Sequence, residues 1–281
     1  MREIKAAAVG AAVAALFEQA NYGLGEDVLE ALEKARREEV SEAGRGVLDT
    51  IINNAAVAAA ERIPLCQDCG VAVVFLQIGQ DVHITGGDLY DAVNQGVRRA
   101  YEEGYLRRSM VARPFSARDN TGDNTPAVIH ADIVLGDRLK ITVLPKGGGA
   151  ENMSRLGMLL PAAGRAGVVD FVVGTVDGAG SKPCPPVIVG VGIGGTAEKV
   201  MLLAKKALLR KVGEPSPDRE NAELEKEILA GINRLGIGPA GYGGRTTALA
   251  VHVETFPAHI TALPVAVNIQ CHSHRHREAV L

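Results

Sequence analysis

The spacing of apolar residues changes at Pro64, and this change constrains the fold more than any other feature of the chain. Before it, Val47, Leu48, Ile51, Ile52, Ala55 and Ala59 recur at the spacing of one helix face, and the first sixty residues read as helix throughout. After it, short strand-like and helix-like pieces alternate. VAVVFLQI (71–78) reads as a buried strand, and the run from Asp88 reads as a capped amphipathic helix. AVIHADIV and RLKITVL, joined at Gly136-Asp137, predict a hairpin. Further strands are expected near Val187, Ala248 and Val265, with helices over 196–209 and 221–235 and a surface loop over 213–221. The expectation is an α+β (mixed α/β) fold: a helical N-terminal layer over residues 1–62 packed on a mixed-strand body, in a single domain covering 1–281.

The apolar stretch Ala6 to Phe17 has the outline of a signal peptide. It is rich in alanine rather than leucine, Glu3 interrupts the basic leader and Glu18 follows at once, so it is read as a helix of the mature protein. It is too short to span a membrane. With 281 residues the chain can bury a core without covalent staples, and its four cysteines do not suggest a secreted disulfide scaffold. A reducing cytoplasm is expected. A net charge of −3 gives no overall attraction to nucleic acid or to an anionic membrane. An anionic ligand must therefore meet a local patch.

The cysteines lie in PLCQDCG (64–70), KPCPPVIVG (182–190) and NIQCHSHRH (268–276), each at the edge of an expected strand. Cys66 and Cys69 form a C-x-x-C pair, which suits a redox motif or half of a zinc site. The redox reading lacks its usual βαβ setting. A zinc reading would add Cys184 or Cys271 with one of His272, His274 and His276, yet structural zinc sites draw their ligands from compact clusters. Single cysteines far apart in sequence better suit a metal cluster assembled by the tertiary fold.

Glycine runs form a second constellation, in LPKGGGAEN (144–152), VGVGIGGTAEK (189–199) and GPAGYGGRTTA (238–248). Such a run can present backbone N–H groups to an anion at a helix start, although tight turns explain it as readily. No dinucleotide or P-loop fingerprint occurs. Polar residues recur beside these motifs: Gln67 and Asp68, Arg107 and Arg108, RDNTGDNTPA (118–127), then His252, Glu254 and His259. Their placement predicts one polar pocket at the strand ends.

Taken together, PLCQDCG, the KGGG run, CPPVIVGVGIGGTAEK and AVHVETFPAHITALPVAVNIQCHSHRH resemble the α subunit of class I fumarate hydratase and L-tartrate dehydratase, in order over nearly the whole chain. The resemblance implies an iron-sulfur hydro-lyase α-type domain. It also implies a [4Fe-4S] cluster held by three cysteines, here Cys66, Cys184 and Cys271, with one iron open as a Lewis acid. By position, Gln67, Arg107, Gly149 and His259 resemble substrate-binding residues, Arg107 gripping a carboxylate while Arg108 is solvated. Asp68 resembles the group that exchanges a proton. Where the family motif has threonine, this chain has Cys69.

Single-chain relatives continue for a further domain. The resemblance therefore implies a hetero-oligomer in which a β subunit carries the catalytic base. Fumarate and L-malate, a pair of the tricarboxylic acid cycle, are the first expectation for the small dicarboxylate substrate. L-Tartrate is the second. From a different class, a zinc-stabilised structural or interaction protein would use Cys66, Cys69, Cys271 and a nearby histidine.

Overall fold

The computed structural model describes residues 1–281. In chain order its first elements are β1 (Arg2–Lys5), α1 (Ala6–Tyr22), α2 (Glu26–Glu38), α3 (Glu42–Glu61), β2 (Val71–Gly79), β3 (Val82–Thr85) and α4 (Leu89–Glu103). There follow β4 (Val128–Val134), β5 (Leu139–Lys146), α5 (Gly148–Glu151), β6 (Arg155–Leu159), α6 (Gly164–Ala179) and β7 (Val187–Gly194). The last are α7 (Ala197–Ala207), α8 (Arg219–Asn233), β8 (Ala248–Phe256), β9 (Leu263–Gln270) and β10 (Arg277–Val280). The fold is α+β, as the sequence predicts. No helix is long and apolar enough to cross a membrane.

The chain forms two compact units. The first comprises Met1–Leu24, Asn54–Gly148 and Arg275–Leu281, and the second Gly25–Asn53 and Gly149–His274. The helices expected over 1–62 are present: α1 packs in the first unit on α4 and β5, and α2 lies in the second unit against β8.

In the first unit a four-stranded sheet runs in the order β10-β5-β2-β4. β2 pairs in parallel with β4 and antiparallel with β5, so the expected hairpin between β4 and β5 is wrong: β2 lies between them. The burial of the strands explains this order. Val73, Val74, Phe75 and Leu76 of β2 are all buried, so that strand needs sheet on both edges, whereas β4 exposes Val128, Ile133 and Val134 and suits an edge.

Above this sheet Val9, Val13 and Phe17 of α1 meet Val93, Val97 and Tyr101 of α4 in one apolar core. Each such side chain fully buried contributes about 1.5–3 kcal/mol. The two helices approach closely because both carry glycine at the crossing, where a β-carbon on Gly96 would stand 2.5 Å from the carbonyl oxygen of Gly10. Gly96→Val should therefore push the helices apart and lower the free energy of unfolding by roughly 1–3 kcal/mol, read by chemical denaturation.

The second unit holds the sheet β6-β9-β7-β8, with β9 antiparallel to both β6 and β7 and β7 parallel to β8. Val168, Val172 and Val176 of α6 and Ile228 and Ile232 of α8 share its core with Val189, Val253, Val265 and Val267. The alternating glycines of β7 serve packing rather than anion binding. A β-carbon on Gly190 would lie 2.1 Å from the Ala204 oxygen, and one on Gly192 2.2 Å from the Val200 oxygen, so α7 rests directly on the strand.

Candidate active site

In the first unit, the loop from α3 to β2 carries Cys66, Gln67 and Asp68, and groups on every side hold it. The Leu65 amide donates to the Asn21 carbonyl at 2.8 Å, and the Asn54 side chain donates to the Leu65 carbonyl at 2.9 Å. Cys66 is half-buried, and its sulfur accepts from the Asp68 amide at 3.4 Å. Gln67 is exposed. The Asp68 carboxylate accepts from the Gly70 amide at 2.9 Å on Oδ1 and from the Gly148 amide at 2.7 Å on Oδ2. The anion met by this end of the KGGG run is thus an internal carboxylate.

Arg275 closes the loop from another side. It is 3% exposed and donates through Nη2 to the Asp68 carbonyl, while its Nε and Nη1 have no hydrogen-bond partner. A buried guanidinium with unpaired N–H groups is costly, and an anion beside it would relieve that cost. Sequence reasoning missed Arg275, although its position four residues after Cys271 was a usable signal.

Cys69 is buried where Cys66 is half-buried. It is 1% exposed, its thiol donates to the Cys66 carbonyl at 3.6 Å, and its sulfur accepts from the Arg107 amide at 3.2 Å. Burial pushes the Cys69 thiol up, against the Arg107 amide and the Arg275 charge, which pull it down. Tyr101, buried at the end of α4, donates to the carbonyls of Cys69 and Gly70, each at 2.8 Å.

Arg107 lies in the same unit, in a stretch over 106–110 without regular secondary structure, and its side chain is exposed. The RDNTGDNTPA segment supports this stretch. Asn124 is fully buried, accepts from the Ser109 and Met110 amides at 2.8 and 3.2 Å, and donates to the Gly70 carbonyl at 3.1 Å. Asp123 anchors that segment in turn: burial opposes its ionisation, but hydrogen bonds from Thr125 and Arg98 outweigh it and hold its pKa at about 2.

In the second unit the sheet brings Cys184 and Cys271 together. Ile188 of β7 faces Gln270 of β9 in antiparallel register, so Cys184, ahead of β7, and Cys271, just after β9, lie at one end of the pair. The His272 amide and its Nδ1 stand 3.3 and 3.0 Å from the Cys184 carbonyl. Cys184 is exposed and adopts φ +54°, and Cys271 is half-buried. Gly149 opens this unit's long segment and is exposed.

His259 belongs to the same unit. It sits in the turn between β8 and β9, exposed and bonded to Thr261 at 2.8 Å. The whole of β9 separates it from Cys271, about 25 Å for eight residues. His252 and Glu254 belong to the body of the unit. His252 is buried with Nδ1 3.2 Å from the Ala207 carbonyl, and Glu254 pairs with Arg210.

The family model for fumarate hydratase (fumerase) matches residues 10–280. The chain belongs to this family. A protein of Methanocaldococcus jannaschii, named provisionally as L(+)-tartrate dehydratase subunit alpha, is 46% identical over 268 residues, covering 94% of each chain. L(+)-Tartrate dehydratase subunit alpha of Escherichia coli and of Shigella sonnei are each 34% identical over 252 residues, covering 89% of this chain and 83% of theirs.

For a fumarate hydratase family member, the question is whether these residues suit an iron-sulfur group. No three His, Cys, Asp or Glu side chains stand as a preformed set for a metal ion. The donor chemistry nevertheless fits. Cys66, Cys184 and Cys271 are cysteines with some exposure, soft donors of the kind iron-sulfur clusters take. Two of them adjoin within one unit, and in the other Arg275 supplies an unpaired buried cation beside the Cys66 loop.

Proposed function

We propose that the chain is the cluster-bearing α subunit of a hydro-lyase acting on a C4 dicarboxylate, with Cys66, Cys184 and Cys271 as ligands of a [4Fe-4S] group and all of residues 1–281 serving as one functional domain. The observation that carries the reading is the pairing of Cys184 with Cys271 at one end of β7 and β9, in a chain of the fumarate hydratase family. When bound, such a group with one open iron supplies a Lewis acid that makes a hydroxyl a better leaving group.

The chain's own residues bind and orient the substrate. Arg107 grips the far carboxylate with its planar donors, and the side chain of Gln67 with the amide of Gly149 fixes the substrate's orientation. Asp68 exchanges the proton of the departing or entering water at its carboxylate. His259 donates from its imidazole to a carboxylate oxygen or to the hydroxyl of the substrate.

Fumarate and L-malate are the first substrate pair. L-Tartrate is an equal second reading, favoured by the names of the relatives. A β subunit carries the catalytic base, a partner in keeping with the relatives' naming as alpha subunits. The assembled enzyme works in the reducing cytoplasm.

Anaerobic loading with iron and sulfide, followed by assays on L-malate and L-tartrate with and without the β subunit, tests the proposal. Turnover of one substrate should require both chains, and the chain alone should be slower by roughly 10²- to 10⁴-fold for want of the base. Zinc without acid-labile sulfide in the purified protein, or full turnover by this chain alone, would overturn it.

A further inference from the structure

We infer that Asn124 and Cys69 are positioning residues that fix the Arg107 segment against the Cys66–Gly70 loop; the functional half of this inference rests on the substrate role proposed for Arg107. The stretch 106–110 has no helix or strand; backbone bonds fix its two ends, Leu106 to the Tyr101 carbonyl and the Met110 carbonyl to Thr121, and side chains hold what lies between. Of the amides from Arg107 to Met110, that of Arg107 donates to Cys69 Sγ, and those of Ser109 and Met110 both donate to Asn124 Oδ1. From the other side, Asn120 donates to the Arg108 carbonyl at 3.0 Å.

Both positioning side chains also reach the cysteine loop. Cys69 donates to the Cys66 carbonyl and Asn124 to the Gly70 carbonyl. Each therefore ties the segment carrying the carboxylate clamp to the loop carrying Gln67 and Asp68. Asn124 is completely buried and adopts φ +60°, a conformation asparagine tolerates better than most side chains. Truncating it takes the acceptor from two part-buried N–H groups and strands one buried carbonyl, that of Gly70. The segment then moves to find partners.

The experiment uses the reconstituted two-subunit enzyme and four variants: Asn124→Ala, Cys69→Ala, Cys69→Ser and Arg107→Ala, with Asn124→Ala also combined with Arg107→Ala. Asn124→Ala should lower kcat/KM about ten- to a hundredfold, since a displacement near 1 Å costs that much when a clamp must meet its carboxylate. Iron and sulfide content should stay as in the parent. In the double variant the loss should match that of Arg107→Ala alone, because a residue acting through Arg107 has nothing left to position. A general structural defect would instead multiply the two losses.

Cys69→Ala approaches the same segment through a separate contact and serves if Asn124→Ala does not fold. It should lower kcat/KM, while Cys69→Ser, which keeps an acceptor for the Arg107 amide, should restore most of it. Hydrogen exchange over residues 106–111 should quicken in both alanine variants. Unchanged exchange in both, or multiplicative losses in the double variant, would overturn the inference. Unchanged kinetics for Arg107→Ala with quickened exchange in the alanine variants would overturn the substrate role of Arg107 and keep the clamp as structure.

Discussion

Cys271→Ser should leave the purified chain unable to hold iron and sulfide after anaerobic loading, with turnover in the assembled enzyme falling roughly 10³-fold or more, the several kcal/mol that a lost Lewis acid represents. Serine is nearly isosteric, and Cys271 is only half-buried just beyond β9, so the sheet should survive the exchange. What changes is the donor: a hydroxyl is a hard, weakly acidic ligand where soft thiolates are required. Cys66→Ser and Cys184→Ser should behave alike. Cys69→Ser should keep its iron, because that sulfur is turned inward to the Arg107 amide and the Cys66 carbonyl. Iron analysis of the four variants reads the ligand set directly. Retention by Cys66→Ser with loss by Cys69→Ser would exchange the two assignments, and retention by Cys271→Ser would end the proposed centre.

Much of this was legible because local signals and tertiary packing agree. β2, α4, β7, α7, α8, β8 and β9 each carry a clear period or cap, Asp88 for example accepting from the Asp91 amide at 2.9 Å as the N-cap of α4. Pairing was less legible. The short connection at Gly136-Asp137 read as a hairpin, yet the strand order obeys a demand for burial on β2 that lies sixty residues away from that turn. α6 was missed because its glycines and paired valines, in GRAGVVDFVVGTVDGA, depress helix propensity. In the candidate site, residue type and motif marked the thiols and Asp68. The roles of Cys69, Asn124 and Arg275 were hidden because each acts on the backbone of a distant segment, and no spacing in the sequence encodes such a contact. The His252, Glu254 and His259 group is spread over β8 and the turn that follows it. His252 and Glu254, two residues apart, share one face of β8, where they meet the Ala207 carbonyl and Arg210, and His259 lies in the turn beyond the strand.

Asp68→Asn should lower kcat of the assembled, cluster-loaded enzyme by about 10²- to 10⁴-fold, the range for a positioned proton-transfer group, while leaving iron content intact. Each carboxylate oxygen of Asp68 takes one backbone amide, from Gly70 and from Gly148, and keeps a further lone pair for a proton. That arrangement holds the carboxylate in place without using up its capacity as acceptor. Asparagine cannot reproduce it, since its NH₂ must face one of the two amide donors. One hydrogen bond is lost and one part-buried N–H is left unmet, a local cost of about 1–3 kcal/mol that denaturation would report separately from kcat. The two effects can be separated by Asn54→Ala, which frees the Leu65 carbonyl and so loosens the same loop without touching the carboxylate. If Asp68 mainly braces the loop, both variants should lose activity in proportion to their loss of stability. If its carboxylate handles the proton, Asp68→Asn should lose far more kcat than Asn54→Ala at a similar loss of stability. Near-parental kcat in Asp68→Asn would move the proton transfer to another group, and loss of iron in that variant would make Asp68 a support of the Cys66 loop alone.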